Sequence, residues 1–407
     1  MSESARLEIL EGLRDAVLDS EIFASFQTEA AFQTSLLRSI SKADLEKLRD
    51  IVREQAILTS FNFEYEFPED QSARVQVGVH PGAVPPTNIH AIIGLNGVGK
   101  SSLLRNISTL LRERRRRRVG KLKFFSKNNE VGPDEGFSNL VVVAFSAFDE
   151  FEPPAPNAGT ETGIQYAYIG LRKNVRLKDG SRESRNKTSA DLRLDFVKST
   201  LLCLRSSRRP RWREAMRVLE TDPGFAGLKL QVLADVPQDE FEVEAGKLFD
   251  AASSGHKIVL LTMTKLVELV SERTLVLIDE PESHLHPPLV AAFIRALSDL
   301  LSLRNGVALL ATHSPVVVQE IPRSCVSLFF REGRSVSIER PAIETFAENV
   351  SLLTREIFRV ELTETGYHTL MRATVDGATS VEDAIARFEG RLGAEGRSLI
   401  RALWQER

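Results

Sequence analysis

Ile92-Ile93-Gly94-Leu95-Asn96-Gly97-Val98-Gly99-Lys100-Ser101-Ser102 carries the pattern G-x-x-x-x-G-K-[ST], with Gly94, Gly99, Lys100 and Ser101 in the specified places. Asn88 to Ile93 is short, apolar and β-branched, which predicts a buried strand before the loop. Ser102 to Ile107 has helical spacing, which predicts a helix after it. Gly94, Gly97 and Gly99 let the backbone turn with positive φ and approach an anion without a Cβ in the way. The N–H groups of Asn96 to Ser102 then converge on phosphate at the positive end of the helix dipole. In this arrangement Lys100 sits against the β- and γ-phosphates of ATP, and the Ser101 hydroxyl completes the coordination of Mg²⁺.

Working outward, the chain of 407 residues exceeds one average domain. Its formal net charge of -3 gives no global basic field for nucleic acid, so any such binding must come from local patches. Only Cys203 and Cys325 are present, which excludes a disulfide framework and a cysteine-rich zinc site. That usage suits a reducing cytoplasmic setting. No apolar core of signal-peptide type follows Met1, and the longest apolar runs are strand-sized, so no membrane span is expected.

Residues 1–56 read as a helical extension, with a stripe through Leu7, Leu10, Leu13 and Val17 and a capped helix start at Ser41. From Phe61 the period changes: Phe61, Phe63, Tyr65 and Phe67 alternate with polar residues, a half-buried strand whose partner is Arg74 to Val79. Core packing of this aromatic face is expected. Arg112 to Arg118 is a basic run containing only Glu113 as an acid, and Arg205, Arg208, Arg209, Arg211 and Arg213 form a second cluster beside Trp212. Nucleic-acid backbone, an acidic partner and a solvated helix end all fit such runs. Asn139 to Phe145 predicts a further buried strand. Residues 153–250 read as a helical and basic insertion, lid-like, with a short strand candidate at Gln165 to Leu171.

Ala252-Ser253-Ser254-Gly255-His256 opens another helix with small residues at its start, a second anion trap. One helix later Leu275 to Ile278 ends in Asp279-Glu280-Pro281-Glu282. At the edge of a parallel sheet Asp279 can face Mg²⁺ and Glu280 can polarise an attacking water as general base. Val307 to Ala311 repeats the design and ends in Thr312-His313-Ser314-Pro315, with His313 placed to meet the γ-phosphate. His284-Leu285-His286 invites a metal reading. Alternate residues on a turn diverge and no third ligand is evident, so a structural or inter-subunit role is expected there instead.

These motifs together, Gly94 to Ser101, Ser253 to Lys257, Asp279 to Pro287 and Ala311 to Pro315, resemble the ABC-type AAA ATPases of prokaryotes. The nearest resemblance is to the OLD-like and Septu- or retron-associated ATPases of antiphage defence. It implies an α/β P-loop NTPase of ABC-ATPase head type, with a mixed central sheet flanked by helices. Core lobes at 57–152 and 251–343 are expected, with the insertion between them and a helical tail at 344–407. It also implies that Ser253, Ser254 and Gly255 close over ATP held by a second subunit, in a homodimer or higher oligomer with composite sites.

The sequence departs from the family at several places. Ala252 replaces the usual leucine of the signature, His256 the usual glutamine, and no glutamine follows the Asn139 strand, where Ser146 and Asp149 stand nearby. The OLD branch carries a Toprim nuclease, and no such constellation of acids occurs in the tail, so a separate effector, a nuclease or toxin, is expected. Two rival readings stay open: a RecF-like DNA-repair ATPase, and a nucleotide-gated scaffold that restrains a toxin with little turnover.

Overall fold

The computed structural model describes residues 58–405 except 69, 71, 114–118, 127–128, 132–135, 146–150, 152, 154–159, 177–181, 284, 334 and 358–366, with a few isolated positions before 58. The expected N-terminal helices, Arg114 to Arg118, Ser146, Asp149 and His284 lie outside the described residues. Two compact units divide the chain, residues 1–347 and 348–407.

In chain order the first unit opens with β1 (Phe61–Glu66), β2 (Arg74–Val79) and β3 (Ile89–Ile93), then helix α1 (Lys100–Arg112). β4 (Lys121–Ser126), β5 (Asn129–Val131), β6 (Asn139–Ala144) and β7 (Gln165–Gly170) follow, then the polar hairpin β8 (Arg172–Arg176) and β9 (Arg182–Asn186). Helices α2 (Ser189–Leu204), α3 (Arg209–Leu219), α4 (Gln238–Ala251) and α5 (Ser254–Leu269) lead to β10 (Thr274–Asp279). α6 (Pro287–Ser302), β11 (Val307–Thr312), β12 (Val326–Glu332) and β13 (Ser335–Glu339) complete the unit's main elements.

Seven strands form the central sheet in the order β13-β12-β3-β11-β10-β6-β7. Every pairing in it is parallel except β12 with β13, so the sheet is mixed with a parallel heart. β3, β6, β10 and β11 are buried on both faces, as continuous apolar runs require when helices cover each side. A second sheet, β2-β1-β4-β5, is antiparallel throughout.

α1 lies between the two sheets. Its Leu103, Leu104, Ile107 and Leu111 share one core with Phe63, Tyr65, Phe67 and Phe124 of the antiparallel sheet and with Leu277, Leu309 and Ala311 of the central one. The aromatic alternation from Phe61 thus packs a core, and Phe63 meets Phe137 edge to face with ring centroids 5.2 Å apart. Losing one such buried ring costs about 3–5 kcal/mol. On the other face, buried Asn88 ties the start of β3 to α6, donating to the Ser298 carbonyl at 2.7 Å and accepting from the Ser298 hydroxyl at 2.9 Å.

The 153–250 block does more than insert helices. β7 extends the central sheet beside β6, with Gln165 opposite Asn139 through Gly170 opposite Ala144. α2 begins in a capping box between Thr188 and Asp191 and packs along α5, while α3 packs along α6. Trp212 of α3 is fully buried and donates its indole N–H to the Thr264 hydroxyl at 3.2 Å, so it is a core residue. Arg209 and Arg213 both reach Asp235, at 3.1 and 3.3 Å, which offsets part of the second basic cluster.

Residues 348–407 hold helices Val350–Ile357, Tyr367–Asp376, Val381–Ala386 and Ala394–Gln405. Met371, Val375, Ala378, Ala384, Leu392 and Ile400 form that unit's own core. Among the described residues no helix is long and apolar enough to cross a membrane.

Candidate nucleotide site at three adjacent strand ends

β3, β11 and β10 are neighbours, and their C-terminal ends carry the phosphate loop, His313 and the acid pair in turn. Register fixes their relative height: Ile93 pairs with Thr312, and Ala311 pairs with Asp279. The crevice beyond the carboxyl ends of parallel strands is where this class of sheet binds ligands.

The loop from Gly94 to Gly99 has the expected left-handed turns, with φ of 78° at Gly97 and 108° at Gly99. At Gly94 the requirement is space: a Cβ there would lie 2.4 Å from the Phe329 carbonyl oxygen of β12. Asn96 and Gly97 are exposed at the tip, whereas Val98 is buried in the core below it. α1 starts at Lys100 with Gly99 as its N-cap, so the N–H groups from Lys100 to Ser102 have no intrahelical partner. The Lys100 ammonium is buried and donates to the Gly94 and Leu95 carbonyls at 2.7 and 3.2 Å, which holds the cation inside the loop.

Asp279 ends β10 with its Oδ1 buried and without a hydrogen-bond partner. Burial pushes its pKa up. A hydrogen bond from Ser101 and the nearby Lys100 charge oppose that rise, and Glu280 and Glu282 reinforce it. An unsatisfied carboxylate oxygen next to a hydroxyl is a hard-oxygen donor pair of the kind Mg²⁺ takes, so the residues present fit that ion.

Glu280 adopts a left-handed backbone, φ 49°, unusual for a residue with a side chain. Its N–H donates to the Ala311 carbonyl at 2.8 Å, which fixes the turn to the neighbouring strand. Glu280 Oε1 lies 2.9 Å from His313 Nε2, and Oε2 accepts from the Ser283 hydroxyl at 3.1 Å. Glu282 Oε1 accepts from the Thr312 hydroxyl at 2.7 Å and from the His313 N–H at 2.8 Å. The strand-end acids and the histidine are therefore one hydrogen-bonded unit.

Ser253 is the N-cap of α5, its hydroxyl accepting from the His256 N–H. The same hydroxyl lies 2.6 Å from His256 Nδ1. Ser254 and Gly255 form the first turn. Among the described residues these three make no hydrogen bond to the phosphate loop of their own chain.

Three features had no motif to announce them. Arg331 of β12 brings its guanidinium to 3.8 Å from the position a Cβ would take at Gly99, adding a cation at the loop. Glu282 braces the backbone of His313. Third, His286 does find partners, where no third ligand was evident from the sequence. Asp222, thirty-odd positions before His256 in a block without recognisable spacing, completes a group of three with them.

Strand ends converging in this way make the site of an ATP-hydrolysing P-loop enzyme. Residues 168–319 match the family model described as "AAA domain, putative AbiEii toxin, Type IV TA system". The chain belongs to the family of protein ea59 of Escherichia phage lambda, with which it is 37% identical over 433 residues, covering 100% of this chain and 80% of that one. Among solved structures it is similar to a nucleotide-free ATP-binding cassette of an ABC transporter, with 13% identity and a TM-score of 0.36 over 75% of this chain and 99% of that one. A transporter cassette in its ADP conformation gives 14% identity and a TM-score of 0.37 over 75% and 98%.

Proposed function

We propose that this ATPase works as a homodimer with composite sites and serves as the sensor or regulatory subunit of an antiphage defence system whose destructive activity lies on a separate effector chain. The observation that carries the chemistry is the Glu280 carboxylate held on both oxygens, by His313 at 2.9 Å and Ser283 at 3.1 Å. A carboxylate so fixed can accept the proton of a water attacking the γ-phosphorus.

Lys100, released from the Gly94 and Leu95 carbonyls, meets the β- and γ-phosphate oxygens, and the N–H groups of Gly97 to Ser102 line the rest of the loop. Ser101 and Asp279 would hold Mg²⁺, which would supply positive charge against that developing on the phosphates. His313, braced through its own N–H by Glu282, donates toward the γ-phosphate once Glu280 has turned to water. Ser253, Ser254 and Gly255 supply the remaining donors from the partner subunit, since among the described residues they make no hydrogen bond to their own loop.

Kinship with a phage protein and the toxin–antitoxin wording of the matched family model support a role in conflict between phages and hosts. A cytoplasmic setting follows from that role. The effector is expected to be a nuclease or a toxin. Nucleic acid as a direct ligand, through Arg112 to Arg118 and Arg205 to Arg213, has weaker support, because Asp235 already engages Arg209 and Arg213.

Glu280→Gln tests the chemistry. Turnover should fall at least about a hundredfold, the scale of a lost general base. ATP should stay bound, and sedimentation should show an ATP-dependent dimer. Turnover equal to wild type would remove Glu280 from the mechanism.

A further inference from the structure

We propose that Asp222, His256 and His286 form a binding site for one divalent transition-metal ion of the zinc class, separate from the nucleotide site. Their ligating atoms all lie within 4.8 Å of one another. They come from three places: the turn before a one-turn helix at Pro223, the first turn of α5, and the N-cap of α6.

Asp222 is 1% exposed, and its two oxygens are treated very differently. Oδ1 accepts from the N–H groups of Gly224 and Phe225, at 2.9 and 3.3 Å, and lies 3.1 Å from His256 Nε2. Oδ2 is buried without any hydrogen-bond partner. A carboxylate oxygen left dry keeps the full penalty of its lost hydration, so a buried orphan calls for a ligand. The group facing Oδ2 is His286 Nε2 at 3.8 Å, too far for a hydrogen bond.

Tetrahedral zinc with bonds of about 2.0–2.1 Å sets its ligand atoms roughly 3.3–3.5 Å apart. His256 Nε2 lies 3.1 Å from Asp222 Oδ1 and His286 Nε2 lies 3.8 Å from Oδ2, so the carboxylate presents one oxygen to each imidazole at separations near that value. Two imidazoles and one carboxylate select zinc over magnesium or calcium, which prefer oxygen alone. The side chain of His286 is 51% exposed, which gives the ion an entry and a water the fourth position.

The ion would clip the start of α5 to the loop that follows the catalytic acids. It would also set a proton. Metal on His256 Nε2 leaves the hydrogen on Nδ1, which faces the Ser253 hydroxyl at 2.6 Å. Ser253 then accepts from the ring, and its own O–H is free to donate to phosphate. Without the ion, Nε2–H points at Asp222 and Nδ1 accepts a hydrogen bond from the Ser253 O–H. This consequence rests on the trans role of Ser253 proposed above, whereas the metal site does not.

The test uses the full-length, tag-free chain, stripped with chelator and then dialysed against Zn²⁺ or Co²⁺. Elemental analysis should give about one zinc per chain, and Co²⁺ should give the visible absorption of a four-coordinate site. His286→Ala, at a half-exposed position, should weaken binding at least tenfold, and Asp222→Asn should do the same. His80→Ala should bind as wild type does. Zinc binding in Glu280→Gln should be unchanged, which separates the site from hydrolysis. If His286→Ala holds as much zinc as wild type, or wild type holds none, the site is overturned.

Discussion

Asp279 shows at a single residue how function opposes stability. Its pKa rises on folding because burial disfavours the charge, with Glu280 and Glu282 adding to the effect. A carboxyl shifted in that direction stabilises the fold while protonated, below its ordinary value of 3.8, and that contribution is lost as pH rises. At neutral pH the ionised side chain is therefore a net cost until a cation relieves it. Asp279→Asn should raise the melting temperature at pH 7 by roughly 2–4 °C without nucleotide while turnover collapses. The gain should shrink toward pH 4. A lower melting temperature in that variant at pH 7 would show that the carboxylate is already satisfied. Residues such as Asp279 were legible in the sequence because a β-branched run ending in consecutive acids has few structural uses. Asp222 was not, since its neighbours Glu220, Thr221 and Pro223 read as an ordinary turn and its partners arrive from two distant helices.

Among the elements, β3 carries both the phosphate loop and a buried histidine that contributes a pH dependence of its own. His90 Nε2 lies 3.1 Å from the carbonyls of Gly78 and Thr87, which fix the ring proton on that nitrogen. Burial pushes its pKa down to about 4 from 6.5. The depressed value means full stability above 6.5 and a loss as pH falls through 4, totalling about 3 kcal/mol by linkage. His90→Gln should be less stable than wild type at pH 7.5, yet lose less between pH 6.5 and 4.5. Urea midpoints across that range measure both slopes, and equal slopes would exclude His90 as their source. The strands that hold the site were readable for a related reason: β3, β6, β10 and β11 are apolar on both faces, and only strands buried between two helical layers look that way. β8 and β9 escaped notice because Arg172 to Arg176 and Arg182 to Asn186 lack an apolar face, leaving their pairing to backbone hydrogen bonds that no side-chain pattern reports.

At the scale of the whole molecule, the ATPase chemistry and the C-terminal helices separate cleanly. Among the described residues, all strands and every residue assigned to the nucleotide or to the Asp222 group precede Ala347, the last residue of the first unit. The helices after it bury Met371, Val375, Ala384 and Ile400 among themselves. After the β12–β13 hairpin the sequence passes through Thr345-Phe346-Ala347 to helical spacing, and the first unit ends at Ala347. The first unit has its own interior, which runs from Phe63 through α1 to Leu309. A chain ending at Ala347 should therefore melt cooperatively, and its affinity for ATP should stay within about threefold of the full chain, a difference under ~1 kcal/mol. Calorimetry on the shortened chain reads both quantities. A non-cooperative melt, or affinity lost beyond tenfold, would mean that residues 348–407 complete the head.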